Sequence, residues 1–113
     1  MKNKIRVLGQ EYKIILDSSE TNPKLEDNYG YLEPYSKKIV IDNSIDQDNG
    51  KTVVEGIDRF VNKIYRHEIL HAFFQESGIR YKYSKDEEEF IVAWIAVQFP
   101  KMKKIFEELG VDQ

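Results

Sequence analysis

The chain has 113 residues, which is long enough for one compact domain and too short for two. Its formal net charge is −3 and its basic residues are dispersed, so it lacks the positively charged surface expected of a nucleic-acid-binding protein. The absence of cysteine excludes disulfides, thiolate zinc sites and cysteine nucleophiles, and leaves histidine, carboxylate and hydroxyl chemistry.

The first half of the chain predicts two β-hairpins. Residues 4–8 and 11–16 are short apolar and β-branched stretches separated by Gly9 and Gln10, a pattern typical of antiparallel strands joined by a tight turn. The polar segment 17–28 contains Pro23 and is predicted to be a loop. Residues 29–33 and 37–42 flank Pro34-Tyr35-Ser36 and predict the second hairpin.

A polar segment, residues 42–51, separates the predicted strands from the predicted helices. It is rich in Asp, Asn and Gly, which favour turns. Asp46 and Asp48 lack the residue offsets of a calcium-binding EF-hand loop, so we interpret them as part of a solvated turn.

The second half of the chain predicts helices. From about Thr52 the apolar residues recur with a helical period through Glu76, and Ser77 and Gly78 end the segment. The early part, residues 53–58 with Gly56, is open to interpretation as a separate turn or a shorter helix.

A further helix is predicted to begin at Ser84, which stands three residues before Glu87 as in a capping box. Its body, residues 90–97, is apolar on all sides, so we expect it to be buried on most sides. Pro100 is expected to end or kink it, leaving residues 101–109 as a short terminal helix closed by Gly110.

The most specific pattern in the chain is the pentapeptide His67-Glu-Ile-Leu-His71 inside the predicted helical segment. Residues four apart lie on one face of a helix, so the two imidazoles can bind one cation. Glu68 lies beside that pair and is placed to accept a proton from water activated by the cation. These are the only two histidines in the chain, and the pattern is the signature of a zinc peptidase.

An alternative interpretation needs no metal. His67 and His71 continue an apolar row through Phe60, Ile64 and Phe74, so they could be hydrogen-bonded histidines in the core of an amphipathic helix. Two stacked imidazoles in a core would then each need a separate acceptor, which makes this interpretation the less favourable one.

A catalytic zinc site generally has three protein ligands, and with no further histidine the third must be a carboxylate. The cluster 86–89 at the start of the next helix offers four acids. Glu87 is assigned to the capping box, and Asp86 to a favourable interaction with the helix dipole. Glu89 precedes Ala93 and Ala96, which allow close helix packing, so we predict Glu89 as the ligand and Glu88 as the reserve.

The chain resembles the small HExxH proteins encoded by phages and prophages, which are similar to ImmA/IrrE-type and other minimal gluzincin-like peptidases. The resemblance runs from about Lys37 to the C-terminus and is carried by three segments of the sequence, residues 39–42, 67–78 and 89–101. It implies Zn²⁺ held by His67, His71 and Glu89, with Glu68 as general base. Gluzincins often have an acid four residues after the ligating glutamate, but this chain has Ala93 there, so the group that orients a histidine must come from elsewhere or be weaker.

The predicted fold class is α+β, with a single domain spanning residues 1–113. In the zincin-like arrangement that the resemblance implies, an antiparallel sheet of three or four strands packs on a central HExxH helix and two C-terminal helices. The family's fold also implies an edge strand beside that helix, able to receive an extended peptide, and residues 37–42 are the candidate.

The predicted function is hydrolysis of a peptide bond by a zinc metallopeptidase, with a protein or peptide as substrate. The alternative is a non-catalytic zincin scaffold that binds metal and acts as a protein-interaction module. Tyr81 and Tyr83 are the nearest tyrosines after the motif, but packing over a loop explains them better than catalysis. Substrate and oligomeric state are left open.

The sequence also predicts a cytoplasmic protein without a membrane partner. Residues 1–7 are basic in part but contain no apolar run of the length that a signal peptide needs. No stretch of the chain approaches the roughly 20 apolar residues that a membrane-spanning helix needs.

Overall fold

The fold is α+β, as predicted, with a small sheet and two long helices. The computed structural model describes residues 3–45 and 56–113. The elements in chain order are β1 (Lys4–Val7), β2 (Gln10–Asp17), β3 (Gly30–Glu33), β4 (Lys38–Asp42), α1 (Ile57–Ser77) and α2 (Lys85–Leu109). Short 3-10 helices occur at Pro23–Leu25 and Ile79–Tyr81.

Both predicted hairpins are present. β1 pairs antiparallel with β2, and β3 pairs antiparallel with β4. Leu8 and Gly9 both have positive φ, of 49° and 85°, which is the backbone geometry of a two-residue hairpin turn that matches the twist of the strands.

The sheet is mixed, so the prediction of a purely antiparallel sheet is wrong in this respect. The strand order is β1-β2-β4-β3, and β2 runs parallel to β4. β4 lies inside the sheet, between β2 and β3. Its three central residues, Ile39, Val40 and Ile41, are all buried, as is typical of a strand that is covered on both faces. The prediction that residues 37–42 form an edge strand is therefore also wrong, since the edge strands are β1 and β3.

The main core lies between the sheet and α1. Its buried side chains come from three strands and the helix: Val7, Tyr12, Ile39, Ile41, Ile64 and Ala72. A polar contact joins the same layers, because the hydroxyl of Tyr12 donates to Glu76 of α1 and Lys37 Nζ lies 2.6 Å from the same carboxylate oxygen. These contacts fix the orientation of α1 on the sheet.

The end of α1 lies where the sequence predicts it. The helix ends at Ser77, and Gly78 follows with a φ of 78°, which is the left-handed conformation that closes many helices. The helix begins at Ile57, after Gly56. The predicted start near Thr52 and the predicted turn containing Asp46 and Asp48 lie outside the described residues.

The predicted capping box begins α2. The Ser84 hydroxyl accepts from the backbone N–H of Glu87, and the Glu87 carboxylate accepts from the backbone N–H of Ser84. Because these bonds satisfy two otherwise unpaired donors, they stabilise the first turn of the helix at this position.

Pro100 does not end this helix, so the prediction of two separate C-terminal helices is wrong. α2 is continuous from Lys85 to Leu109. Proline has no N–H to donate to the carbonyl of Ala96, four residues earlier. Arg66 of α1 supplies the missing donor, with its Nε 2.9 Å from that oxygen. The proline is accommodated because the neighbouring helix satisfies the freed carbonyl.

The expected burial of residues 90–97 is also wrong for the single chain. One stripe of this segment packs against α1, and Val92 and Ala96 are fully buried there. Phe90 and Trp94 on the opposite side are 73% and 53% exposed. Among the described residues, no helix combines the length and apolar content of a membrane span.

We predict that Arg66→Met lowers the free energy of unfolding by about 1.5–3 kcal/mol, because it leaves a buried carbonyl without its charged donor. In a Pro100→Ala background the same substitution should have a clearly smaller effect, since the restored backbone amide binds the Ala96 carbonyl. Urea unfolding of the unchanged protein, the two single variants and the double variant measures the coupling energy between positions 66 and 100. Arg59→Met, an exposed change on the same helix, is the control. Equal losses in both backgrounds would contradict this role for Arg66.

Candidate metal centre

The predicted site residues lie together in a cleft of about 410 Å³ between β3, α1 and the start of α2. The cleft is lined by the two motif histidines, by acids from both helices, by basic side chains after α1, and by the backbone and side chains of the β3 segment. The lining residues from the helices and the following loop are Ile64, His67, Glu68, His71, Arg80, Lys85, Glu88 and Glu89. Those from the β3 side are residues 27–32.

The two histidines converge on Glu89. His67 Nε2 lies 2.7 Å from Oε1 of Glu89, and His71 Nε2 lies 2.9 Å from Oε2 of the same carboxylate. The two rings are 5.0 Å apart between centroids. Both Nε2 atoms therefore point at one place, as expected for residues one helical turn apart, and the carboxylate occupies that place.

These three groups fit a zinc ion. One ligand atom from each lies within 4.8 Å of the others. In a tetrahedral site with bonds of about 2.0–2.2 Å, ligand atoms are roughly 3.2–3.6 Å apart, so small side-chain movements bring the group to that geometry. The side chain of Glu89 is 57% exposed, which leaves it room to move back as an ion enters between it and the rings.

Glu88, the reserve candidate for the third ligand, contacts the other ring nitrogen of His71, Nδ1. Its carboxylate oxygen lies 2.6 Å from Nδ1 of His71, and the residue is only 5% exposed. An N–H at Nδ1 that donates to this carboxylate leaves the lone pair of Nε2 free, and also fixes the orientation of the ring. Glu88 is therefore the acid that orients a histidine ring, a role that Ala93 cannot fill because it has no carboxylate.

Arg80 holds Glu88 from the other side. The Nε of Arg80 is 3.8 Å from the second carboxylate oxygen of Glu88, and its guanidinium also donates to the side chain of Gln75. Positive and hydrogen-bonding neighbours such as these offset the cost of burying a carboxylate. The chain of contacts from Gln75 through Arg80 and Glu88 to His71 fixes one ring of the site.

Glu68 is buried at the floor of the cleft, with 6% of its surface exposed. The strand β3 passes very close to it at Gly30. A Cβ at position 30 would lie 3.2 Å from Cγ of Glu68 and 2.9 Å from the backbone oxygen of Val40. Only glycine therefore allows β3 to pair with β4 and cover Glu68 at the same time.

Burial shifts the pKa values of two site residues. Desolvation lowers the pKa of His67, against the attraction of Glu89, and so favours the neutral imidazole that can bind a metal. Desolvation also raises the pKa of Glu68 from 4.5 to about 7. A carboxylate with a pKa near neutrality is suited to accept and return a proton.

The tyrosines in the cleft are not the ones considered from the sequence. Tyr81 and Tyr83 are exposed and do not line it, whereas Tyr29 and Tyr31 do. The hydroxyl of Tyr31 accepts from Asn22 at 2.7 Å, and the ring of Tyr29 packs edge-on against Phe60 with centroids 5.0 Å apart. Tyr31 lies in β3 and Tyr29 directly precedes it, and the sequence does not predict that this strand lies beside the motif.

No family model, curated protein or solved structure matches this chain. The assignment of a function therefore depends on the geometry of the cleft and the chemistry of its side chains.

We predict that Glu68 makes the stability of the metal-free protein depend on pH. Between pH 4.5 and about 7 the folded protein binds more protons at Glu68 than the unfolded chain does, because its pKa is raised in the folded state. The free energy of unfolding should therefore fall as the pH rises through this window, by up to about 3 kcal/mol from this group.

Urea unfolding of chelator-treated protein at about pH 5 and about pH 7 measures the effect. In Glu68→Gln the free energy of unfolding should fall less between the two pH values, because the contribution of Glu68 is removed. Glu26→Gln, a change at an exposed position, should show the same fall as the unchanged protein. The same decrease in Glu68→Gln as in the unchanged protein would show that Glu68 is not protonated in this range.

Proposed function

We propose that this protein is a zinc-dependent peptidase of the minimal gluzincin-like type, in which His67, His71 and Glu89 bind the metal. The observation that carries the proposal is the convergence of both imidazole Nε2 atoms on the Glu89 carboxylate, at 2.7 and 2.9 Å. The cytoplasmic location and the similarity to phage-encoded HExxH proteins belong to the same proposal.

The reaction in this proposal is hydrolysis of a peptide bond. A Zn²⁺ ion held by the three ligands would lower the pKa of a water far below its bulk value, towards about 7, and would stabilise the oxyanion. Glu68 takes one proton from the water as its oxygen attacks the carbonyl carbon. The same carboxyl then gives that proton to the amine nitrogen as the carbon–nitrogen bond breaks, so Glu68 ends ionised.

The position of Glu68 supports this role. It follows His67 directly in α1 and lies buried in the same cleft, where water has little access to its carboxylate. Burial raises the pKa of Glu68 to about 7 in the metal-free protein, and the same burial favours return of the proton to the leaving amine. Gly30 keeps β3 close enough to cover the Glu68 side chain.

The strand β3 suggests how a peptide could be held. It is at the edge of the sheet, and its residues 30–32 line the cleft together with Tyr29, which precedes it. An edge strand offers unpaired backbone groups to an extended chain, so a peptide paired with β3 would lie across the cleft beside the histidines. In this proposal the substrate pairs with β3, because the strand 38–42 already pairs on both sides.

The alternative proposal is a scaffold that binds metal without hydrolysis. The cleft has walls from one sheet edge and two helices, and Glu89 at its mouth is largely exposed. Such an open site excludes water poorly, which disfavours catalysis. The two proposals share the metal ligands and differ in what Glu68 does.

We predict that zinc-loaded protein cleaves unstructured peptides and that Glu68→Gln abolishes cleavage while it retains zinc. A general base contributes roughly 10²–10⁴-fold to the rate, so the loss should be at least 100-fold. Mass spectrometry of a mixed peptide library detects the new termini, and elemental analysis measures the zinc content. Glu26→Gln, which changes an exposed acid that does not line the cleft, should leave both unchanged.

The ligand assignment is tested on the same preparations. Glu89→Ala should lose zinc, whereas Glu88→Ala should keep it with an affinity about 10–100-fold lower, because Glu88 only orients His71. Zinc that is retained fully in both variants would contradict the ligand set. Zinc binding without cleavage in the unchanged protein would favour the scaffold, and no zinc binding would contradict both proposals.

A further inference from the structure

The exposed side of α2 has a regular row of residues that do not line the cleft. The row begins at Glu87 and continues with alternating spacings of three and four residues: Phe90, Trp94, Val97, Lys101 and Lys104. Phe90 is 73%, Trp94 53% and Val97 48% exposed. A spacing of three and four residues is that of the contact seam of a coiled coil, and large adjacent aromatic side chains on a monomer's surface mark an interaction site.

We infer that this row is the interface of a homodimer in which α2 packs antiparallel against α2 of a second copy. The row is self-complementary about a point between Ile95 and Ala96. A two-fold axis there places Trp94 against Val97 of the other copy. It also places Phe90 against Lys101, whose aliphatic stem can cover the ring while its ammonium lies near the ring face.

The charges on α2 support this occupant and this direction. The first turn of the helix has Asp86 and Glu87, and the other end of the row has Lys101 and Lys104. In the antiparallel pair each acidic end lies within about one helical turn of the other copy's basic end. A parallel pair would place acids against acids and lysines against lysines, which is unfavourable. The row thus has an apolar centre, an acidic end and a basic end, and it is complementary to the same row of a second copy in the antiparallel direction.

The size of the row predicts a weak dimer. Phe and Trp side chains bury about 150–250 Å² each, so the two exposed aromatics contribute on the order of 250 Å² per copy. Together with Val97 and the lysine stems this is at the low end of specific interfaces, so we expect weak association, with a dissociation constant in the micromolar range or above.

The dimer does not depend on the proposed function. The row lies on the side of α2 opposite to the stripe formed by Glu88, Val92 and Ala96, which faces α1. A second copy on the row therefore leaves the cleft open, and loss of dimerisation should not change zinc content.

Sedimentation velocity over about two orders of magnitude in concentration, centred on the micromolar range, measures the association. The unchanged protein should shift from monomer to dimer. Trp94→Glu should weaken the dimer by more than about 100-fold, because the substitution occurs twice in each dimer at the centre of the interface. Tyr35→Glu changes an aromatic residue that is 86% exposed in the turn before β4, and should leave the association unchanged. Circular dichroism verifies that each variant is folded.

The direction of pairing has its own test, since the chain contains no cysteine. Asp86→Cys and Lys104→Cys should each form few disulfide-linked dimers alone, whereas a mixture of the two should cross-link under mild oxidation. In parallel, Asp86→Lys and Lys104→Glu should each weaken the dimer by about fivefold, and the double variant should restore it.

A protein that stays monomeric at all concentrations would overturn the inference. So would a dimer that Trp94→Glu leaves intact, since another surface would then form it. Cross-linking of each cysteine variant with itself, and not with the other, would contradict the antiparallel arrangement.

Discussion

The packing of α2 along α1 is the constraint on which the site depends. Glu88, Val92 and Ala96 form one buried stripe on α2, and the small side chain of Ala96 lets the helices approach closely. The same approach brings Arg66 to the carbonyl that Pro100 leaves free. Because this contact fixes both the rotation and the register of α2, the acids in its first turn meet the histidines of α1.

Two adjacent glutamates take different roles because the helix turns by about 100° between them. Glu88 continues the buried stripe and meets Nδ1 of His71, where Arg80 holds it. Glu89 points to the open cleft and meets Nε2 of both histidines. One carboxylate is fixed and orients a ring, and its neighbour is free to move and is suited to bind an ion. Burial separates the two roles within a single turn of helix.

Local features were predictable from the sequence, and long-range ones were not. The hairpin turn at Gly9, the capping box of Ser84 and the helix end at Gly78 depend on residues close in the chain, and each was predicted. One long-range contact is an exception: helical spacing and the lack of any other histidine predict that His67 and His71 meet a carboxylate of the next helix, and the structure brings Glu89 to them.

The parallel pairing of β2 with β4 could not be predicted, because it depends on which strand gains most from burial on both sides. The continuity of α2 at Pro100 depends on a donor from another helix, 30 residues earlier. The need for glycine at position 30 is visible only once Val40 and Glu68 are in place. The role of Glu88 has a signal in the sequence, since Glu88 stands four and eight residues before Val92 and Ala96, which share its buried side of the helix.

The most direct test of the central claim is a crystal structure of the zinc-loaded protein with anomalous scattering measured at the zinc edge. We expect one ion within about 2.0–2.2 Å of Nε2 of His67, Nε2 of His71 and a carboxylate oxygen of Glu89, with Glu88 still accepting from Nδ1 of His71. An ion bound elsewhere, or imidazole rings that turn away from each other when zinc is present, would contradict the account.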